Sequence, residues 1–111
     1  MKKQISSILL HREAQEVEKA WRNAGVSYQR VRYILSIVAK HCDWRSINFI
    51  PSDKCACAFM DHDLELGAIA AIAEIEESCT HMHSGELYES LHPESDLLDL
   101  IRLALPERNG G

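Results

Sequence analysis

The chain has 111 residues, of which 46% are hydrophobic, and its 12 Lys and Arg against 17 Asp and Glu give a formal net charge of −5 at pH 7. This length allows one domain with one core, and the hydrophobic content argues against global disorder. No apolar stretch approaches a membrane span, and Ile8–Leu10 is too short for a secretory signal. The sequence predicts one soluble, cytoplasmic domain over residues 1–111 with reduced cysteines.

The charge of the chain is divided unevenly between its two halves. Residues 1–54 contain ten bases and five acids, whereas residues 55–111 contain two bases and twelve acids. The net charges of the two halves are therefore +5 and −10. An acidic half of this kind indicates a surface that contacts a basic protein, and it argues against contact of that half with nucleic acid or an anionic membrane.

Hydrophobic periodicity predicts two helices in the basic half. Residues 5–24 place apolar side chains on one helical face, and Gly25 provides a stop. Residues 28–42 follow the helical apolar pattern throughout, with Ser27 as the predicted N-cap. Residues 43–63 show no period and are predicted to form a long loop with a short turn. The residues expected to face inward are Leu10, Ala14, Val17 and Trp21 in the first helix and Ile47, Phe49, Ile50 and Phe59 in the loop.

The acidic half is predicted to contain three more helices and a tail. Residues 64–78 form a helix, residues 84–91 a short helix capped by Ser84, and residues 96–105 the last helix before a tail over 106–111. The inward residues are Leu66, Ile69, Ile72 and Ile75, then Leu97, Leu98, Ile101, Ala104 and Leu105, while Glu65, Glu74, Glu76 and Glu77 are expected in solvent. The predicted fold is all-α, a four-helix bundle whose main helices lie over 5–24, 28–42, 64–78 and 96–105, with the short helix before the last.

Several stretches of residues 27–105 follow the pattern of one known family. They are Tyr28–Leu35, the apolar positions of 66–75 followed by Glu76 and Glu77, the run Met82–Leu87, Leu91, and Leu98–Ile101. In these stretches the chain resembles the acyl and peptidyl carrier proteins. Those proteins are small acidic bundles with a long first helix, a long loop, a second helix opening with Asp-Ser-Leu, a short third helix and a final helix. The resemblance implies a carrier-like bundle over residues 27–105, with residues 5–24 as an extra helix.

The chain departs from the family at the residue to which the family's prosthetic group is attached. In the family, the serine that opens the second helix carries phosphopantetheine. Here the corresponding stretch is Asp63-Leu64-Glu65-Leu66, with Glu65 in place of the serine. Because a glutamate cannot form the phosphodiester, no phosphopantetheine is expected. The resemblance then implies the fold and an acidic docking helix, without the thioester chemistry.

A helix-turn-helix over residues 16–36 is an alternative interpretation. Gly25 allows a tight turn, and the following helix would direct four side chains toward a DNA major groove. These are Tyr28, Gln29, Arg30 and Arg32. Trp21 stands where such motifs need a small residue, and the acidic half would repel phosphates. Two helices with solvated arginines are the simpler interpretation.

Metal binding and catalysis are the remaining chemical interpretations. Thiolate and imidazole are the donors that zinc prefers, and five residues could supply them: Cys55, Cys57, Cys79, His81 and His83. Their spacing departs from the usual knuckle, and buried or solvated side chains are the alternative. Adjacent Cys and His residues on a helix do not face each other, so no enzyme activity is predicted. No cofactor is expected, with zinc as the one candidate.

These observations predict a non-catalytic interaction module. Its helix over 64–78 would present acids to a basic protein partner, since such charges steer association. The partner-binding candidates are Asp63, Glu65, Glu74, Glu76 and Glu77. The alternatives are the DNA-binding regulator and an acidic inhibitor or immunity-type protein. The opposite charges of the two halves also allow a homodimer.

Overall fold

The computed structural model describes residues 11–59, 66–78, 83, 85–92 and 94–105. Its helices are α1 (Ala14–Asn23), α2 (Tyr28–Cys42), α3 (Cys55–Ala58), α4 (Leu66–Ser78), α5 (Glu86–Ser90) and α6 (Leu97–Ala104). Within these residues there is no β-strand, and an isolated bridge joins Lys54 to Asp96. The all-α prediction is therefore confirmed. No helix in the described ranges is both long and apolar enough to cross a membrane.

The first helix is interrupted where the sequence pattern predicts continuity. Glu13 has an extended backbone (φ −85°, ψ 142°), so α1 begins at Ala14 and the helix predicted over residues 5–24 is broken at Glu13; residues 5–10 lie outside the described residues. The guanidinium of Arg12 is bound by the Asp53 carboxylate and by a backbone oxygen of the following loop, which holds the chain in a non-helical path just before α1. Val17 and Trp21 are buried as predicted, whereas Ala14 is exposed. Leu10 lies outside the described residues.

The second helix has the bounds that the sequence predicts. Gly25, with φ of 87°, makes the turn between α1 and α2 in a conformation that glycine adopts without strain. Ser27 occupies the N-cap position, but its side chain makes no capping hydrogen bond, so that part of the prediction is wrong. The buried residues of α2 are Val31, Ile34, Leu35, Ile37, Val38 and Cys42.

The loop after α2 is pinned to the core by aromatic side chains. Phe49 and Phe59 are buried, and Ile47 and Ile50 are half-buried against the core, as predicted. The indole N–H of Trp21 donates to the backbone oxygen of Phe49 at 2.7 Å. Trp44 meets the Phe49 ring edge-on at 5.3 Å between centroids. Aromatic packing thus orders a segment that lacks secondary structure.

The last helix is joined to this loop by backbone hydrogen bonds. The amide of Leu97 donates to Asp53 at 2.8 Å, and the amide of Cys55 donates to Ser95 at 2.7 Å. Asp96 and Asp99 form a reciprocal capping box at the start of α6. The buried face consists of Leu97, Leu100, Ile101 and Ala104, so Leu100 replaces the predicted Leu98 and Leu105, which are half-buried.

Candidate interaction surface

Helices α2 and α4 pack side by side in antiparallel directions. The hydroxyls of Tyr33 and Ser78 are hydrogen-bonded at 3.0 Å near one end of the pair. Near the other end, a Cβ added at Gly67 would lie 3.1 Å from the backbone oxygen of His41. Helix α4 therefore approaches α2 closely because its contacting residues are small.

The buried face of α4 differs from the predicted face. Ala68, Ala71, Ile72 and Ile75 are buried, whereas Ile69 is 44% exposed. The prediction for Ile72 and Ile75 is confirmed and that for Ile69 is wrong; the side chain of Leu66 lies outside the description. Apolar residues surround α4 on every side, so their periodicity did not select one inward face. The outward residues that result are Ile69, Ala70, Ala73 and Glu77, all exposed.

Glu76 is buried instead of exposed to a partner. Only 8% of this residue is accessible to solvent. Its carboxylate accepts hydrogen bonds from the backbone amides of Gly85 at 2.9 Å, Leu87 at 2.7 Å and Tyr88 at 3.2 Å. These amides belong to the first turn of α5, whose donors have no partner inside the helix. Glu76 therefore caps a neighbouring helix, and its prediction as a solvent-exposed docking residue is wrong.

The N-cap of α5 also differs from the prediction. Gly85, with φ of 87°, occupies this position and has no side chain that could cap the helix. The predicted cap, Ser84, lies outside the described residues. Glu76, from another helix, supplies the hydrogen-bond acceptor that a serine at the N-cap would supply. This long-range cap ties α5 to the C-terminal part of α4.

Glu74 is engaged within the molecule. Its Oε1 lies 2.8 Å from Nζ of Lys40 and 2.7 Å from Nε2 of His41, both on α2. Hydrogen bonds from Lys40 and then from His41 hold the pKa of Glu74 below its ordinary value. The Glu74 carboxylate thus helps to join α2 to α4. Of the other predicted docking acids, Glu77 is exposed, while Asp63 and Glu65 lie outside the described residues.

The four residues of the DNA-binding alternative lie at the start of α2. Gln29, Arg30 and Arg32 are exposed, and Tyr28 is half-buried. Burial raises the pKa of Tyr28, while the charge of Arg32 lowers it in part. The two helices and the Gly25 turn of the motif are present, but the residue where such a motif needs a small side chain is Trp21, which is fully buried and hydrogen-bonded to Phe49 of the loop.

The candidate zinc ligands that the structure describes are not gathered into a site. Cys55 is buried and Cys57, two positions later, is exposed, so the two thiols lie on opposite sides of α3. His83 is exposed, and Cys79 and His81 lie outside the described residues. Across the ranges that the structure describes, no group of three potential ligands is close enough to hold a metal ion.

The buried thiols have strongly raised pKa values. Burial, aided by the charges of Asp96 and Asp99, raises the pKa of Cys55 from 9.0 to about 12. Burial alone raises that of Cys42 from 9.0 to about 11. The Cys55 thiol donates to the backbone oxygen of Asp96 at 3.3 Å, which also favours its protonated form. Both thiols are therefore poor nucleophiles at neutral pH.

We expect these thiols to make the fold sensitive to alkali. Their pKa values in the folded chain exceed the unfolded value of 9.0, so their contribution to stability is complete below pH 9.0 and is lost as the pH rises toward about 11 for Cys42 and about 12 for Cys55. The midpoint of urea unfolding should fall over this range, and fall less in a Cys42→Ala, Cys55→Ala variant. An equal fall in that variant would assign the effect to other groups.

The structure brings together an exposed surface that the sequence did not single out. It consists of Ile69, Ala70, Ala73 and Glu77 on α4, which we call the α4 outer face. Exposed Glu86, Tyr88 and Glu89 lie on α5, which packs against α4. No protein-family model matches this chain, and comparisons with curated proteins and with solved structures found no match.

Proposed function

We propose that the protein is a non-catalytic interaction module that binds a basic protein through the α4 outer face. The observation that carries the proposal is the exposure of Ile69, at 44%, on a helix that is apolar on both sides. A helix that is apolar all round is typical of one that is covered on all sides. Here α2 and the core cover one side of α4, and a partner would cover the other.

The charge around this face favours a basic partner. Glu77, Glu86 and Glu89 are exposed on α4 and α5, and residues 55–111 have a net charge of −10. Glu74 and Glu76 already have partners within the chain, so Glu77 is the predicted docking acid of described α4 that stays available to a partner. Acids at the rim of an apolar face set the rate and register of association, while the apolar contact supplies affinity.

The order of helices supports a carrier-like arrangement for the same module. Long α2, a long loop, α4, short α5 and α6 follow one another in the order that the resemblance implies, and α1 precedes them. Glu65, in place of the family's serine, supports a module without phosphopantetheine. An inhibitor or immunity-type protein would use the same acidic surface, so it differs from this proposal in the partner alone.

A labelled amphipathic helical peptide with leucines on one face and lysines on the other would test this surface. We expect Ile69→Asp to weaken its binding about tenfold, the effect of losing one well-buried apolar contact. Glu77→Lys should weaken binding by a few-fold and reduce its salt dependence. Fluorescence anisotropy at low and physiological salt measures both effects.

The control for charge is Glu16→Lys on α1. Glu16 is exposed like Glu77, and Glu16→Lys changes the net charge of the protein by the same amount as Glu77→Lys. Glu16, however, lies in the basic half of the chain. Binding to the α4 outer face requires that Glu16→Lys have little effect. If Glu16→Lys weakened binding as much as Glu77→Lys, and Ile69→Asp changed nothing, the peptide would be sensing net charge and the proposed surface would be wrong.

A further inference from the structure

An open cleft lies beside the turn that joins α1 to α2. Its volume is about 500 Å³, within the range typical of small-molecule sites. The residues around it include Glu18, Arg22, Val26, Tyr28, Gln29 and Arg32. The cleft belongs to the basic half of the chain and involves none of the residues of the α4 outer face.

Two guanidinium groups give this cleft a positive character. Arg22 is paired with Glu18 at 2.6 Å, but 70% of the Arg22 side chain is exposed, and exposed pairs of this kind are weak. Arg22 can therefore exchange this carboxylate for a stronger ligand. Among the described residues, Arg32 forms no ion pair. Helix α2 contains no Asp or Glu, so no acid on its own helix offsets Arg32.

Neutral donors accompany the two arginines. Tyr28 lines the cleft together with Arg32 and Glu18, and its hydroxyl lies within electrostatic range of both charges. Gln29 contributes an amide to the same wall. Guanidinium, phenol and amide groups are all hydrogen-bond donors. For two guanidiniums, a phosphate is a better ligand than a single carboxylate, because it offers more acceptor oxygens.

We propose that this cleft binds a small ligand that carries a phosphate monoester. Arg22 and Arg32 bind the phosphate oxygens, and Tyr28 and Gln29 donate to the same group. Among the described residues that line the cleft, Glu18 is the one acid, so it limits affinity for the anion and accepts a hydrogen bond from a hydroxyl or amine of the ligand. This site is independent of the proposed docking function, because it uses α1 and α2 instead of α4.

Titration of the full chain with phenyl phosphate, followed by amide chemical shifts, tests the site. We expect saturable shifts confined to residues near 18–32, with Arg32→Gln and Arg22→Gln each raising the Kd about tenfold. Glu18→Gln should lower the Kd by removing the repulsive charge. Acetate should bind at least tenfold more weakly than phenyl phosphate, because it carries one charge and fewer acceptors.

Arg30→Gln provides the matched control. Arg30 is exposed on the same helix but does not line the cleft, so its loss changes the net charge without removing a ligand. We expect its Kd to stay within about twofold of the parent value. Equal weakening by Arg30→Gln and Arg32→Gln, shifts spread over the whole basic half, or equal binding of acetate would each overturn the proposal. These outcomes leave the peptide test of α4 unaffected.

Discussion

Replacement of Glu76 with alanine is expected to lower the free energy of unfolding by about 3 kcal/mol. The substitution removes the acceptor for three backbone amides at the start of α5, and hydrogen bonds to a charged group contribute more than neutral ones. The Leu87 amide is buried, so water replaces the lost acceptor poorly. Urea unfolding measures the loss.

Two further variants separate the cap from the charge of Glu76. Glu76→Gln keeps one acceptor oxygen and cannot bind all three amides, so an intermediate loss is expected. Glu77→Ala changes the exposed neighbour on the same helix and should alter stability by less than about 0.5 kcal/mol. Hydrogen exchange of Leu87 and Tyr88 should accelerate in Glu76→Ala alone. Unchanged exchange there would rule out a cap on α5.

Replacement of Asp53 with alanine is also expected to destabilise the fold by about 3 kcal/mol. The Asp53 carboxylate binds both terminal nitrogens of Arg12, at 2.7 and 3.0 Å, and accepts the amide of Ile50 at 3.0 Å. The side chains of Asp53 and Arg12 are only 7% and 17% exposed, so loss of one leaves the other charge poorly solvated. Thermal or urea unfolding measures the effect.

A double-mutant cycle separates the contribution of the Arg12–Asp53 ion pair to stability from that of the hydrogen bond between Asp53 and the Ile50 amide. Asp53→Asn retains an acceptor for Ile50 but loses the charge, so it should couple strongly to Arg12→Gln. Glu94→Gln, at an exposed position, is the control for removal of one negative charge and should be nearly neutral. If Arg12→Gln and Asp53→Asn proved additive, the pair would not link the start of α1 to the loop.

These two carboxylates show what sequence reasoning missed and why. The pattern predicted Glu76 as a docking acid because acids on helix surfaces usually face water. Its actual partners lie nine to twelve residues away, on another helix. The partner of Asp53 is 41 residues away in the chain. A carboxylate buried by distant backbone donors has no local signal in the sequence.

The prediction of helix α2 and the misprediction of the α4 face have one physical cause. The apolar residues of α2 lie on one face of the helix and its polar residues lie on the opposite face. Hydrophobic periodicity therefore identified both the bounds and the buried face of α2. Helix α4 has apolar residues on every side, so burial could be satisfied by more than one rotation about its axis. Close packing of Gly67 and Ala71 against neighbouring residues selected the rotation that exposes Ile69.

The sequence alone determined the all-α class, the bounds of α2, the aromatic anchoring of the loop and the separation of charge between the two halves. These properties depend on local periodicity and on composition, which require no knowledge of which elements meet. Tertiary structure decided which acids remain exposed, how α5 is capped, where the helical path breaks before α1, and that arginines from two helices line one cleft. Each of these depends on how separate segments of the chain pack against one another, and only the packing of the helices brings those segments together.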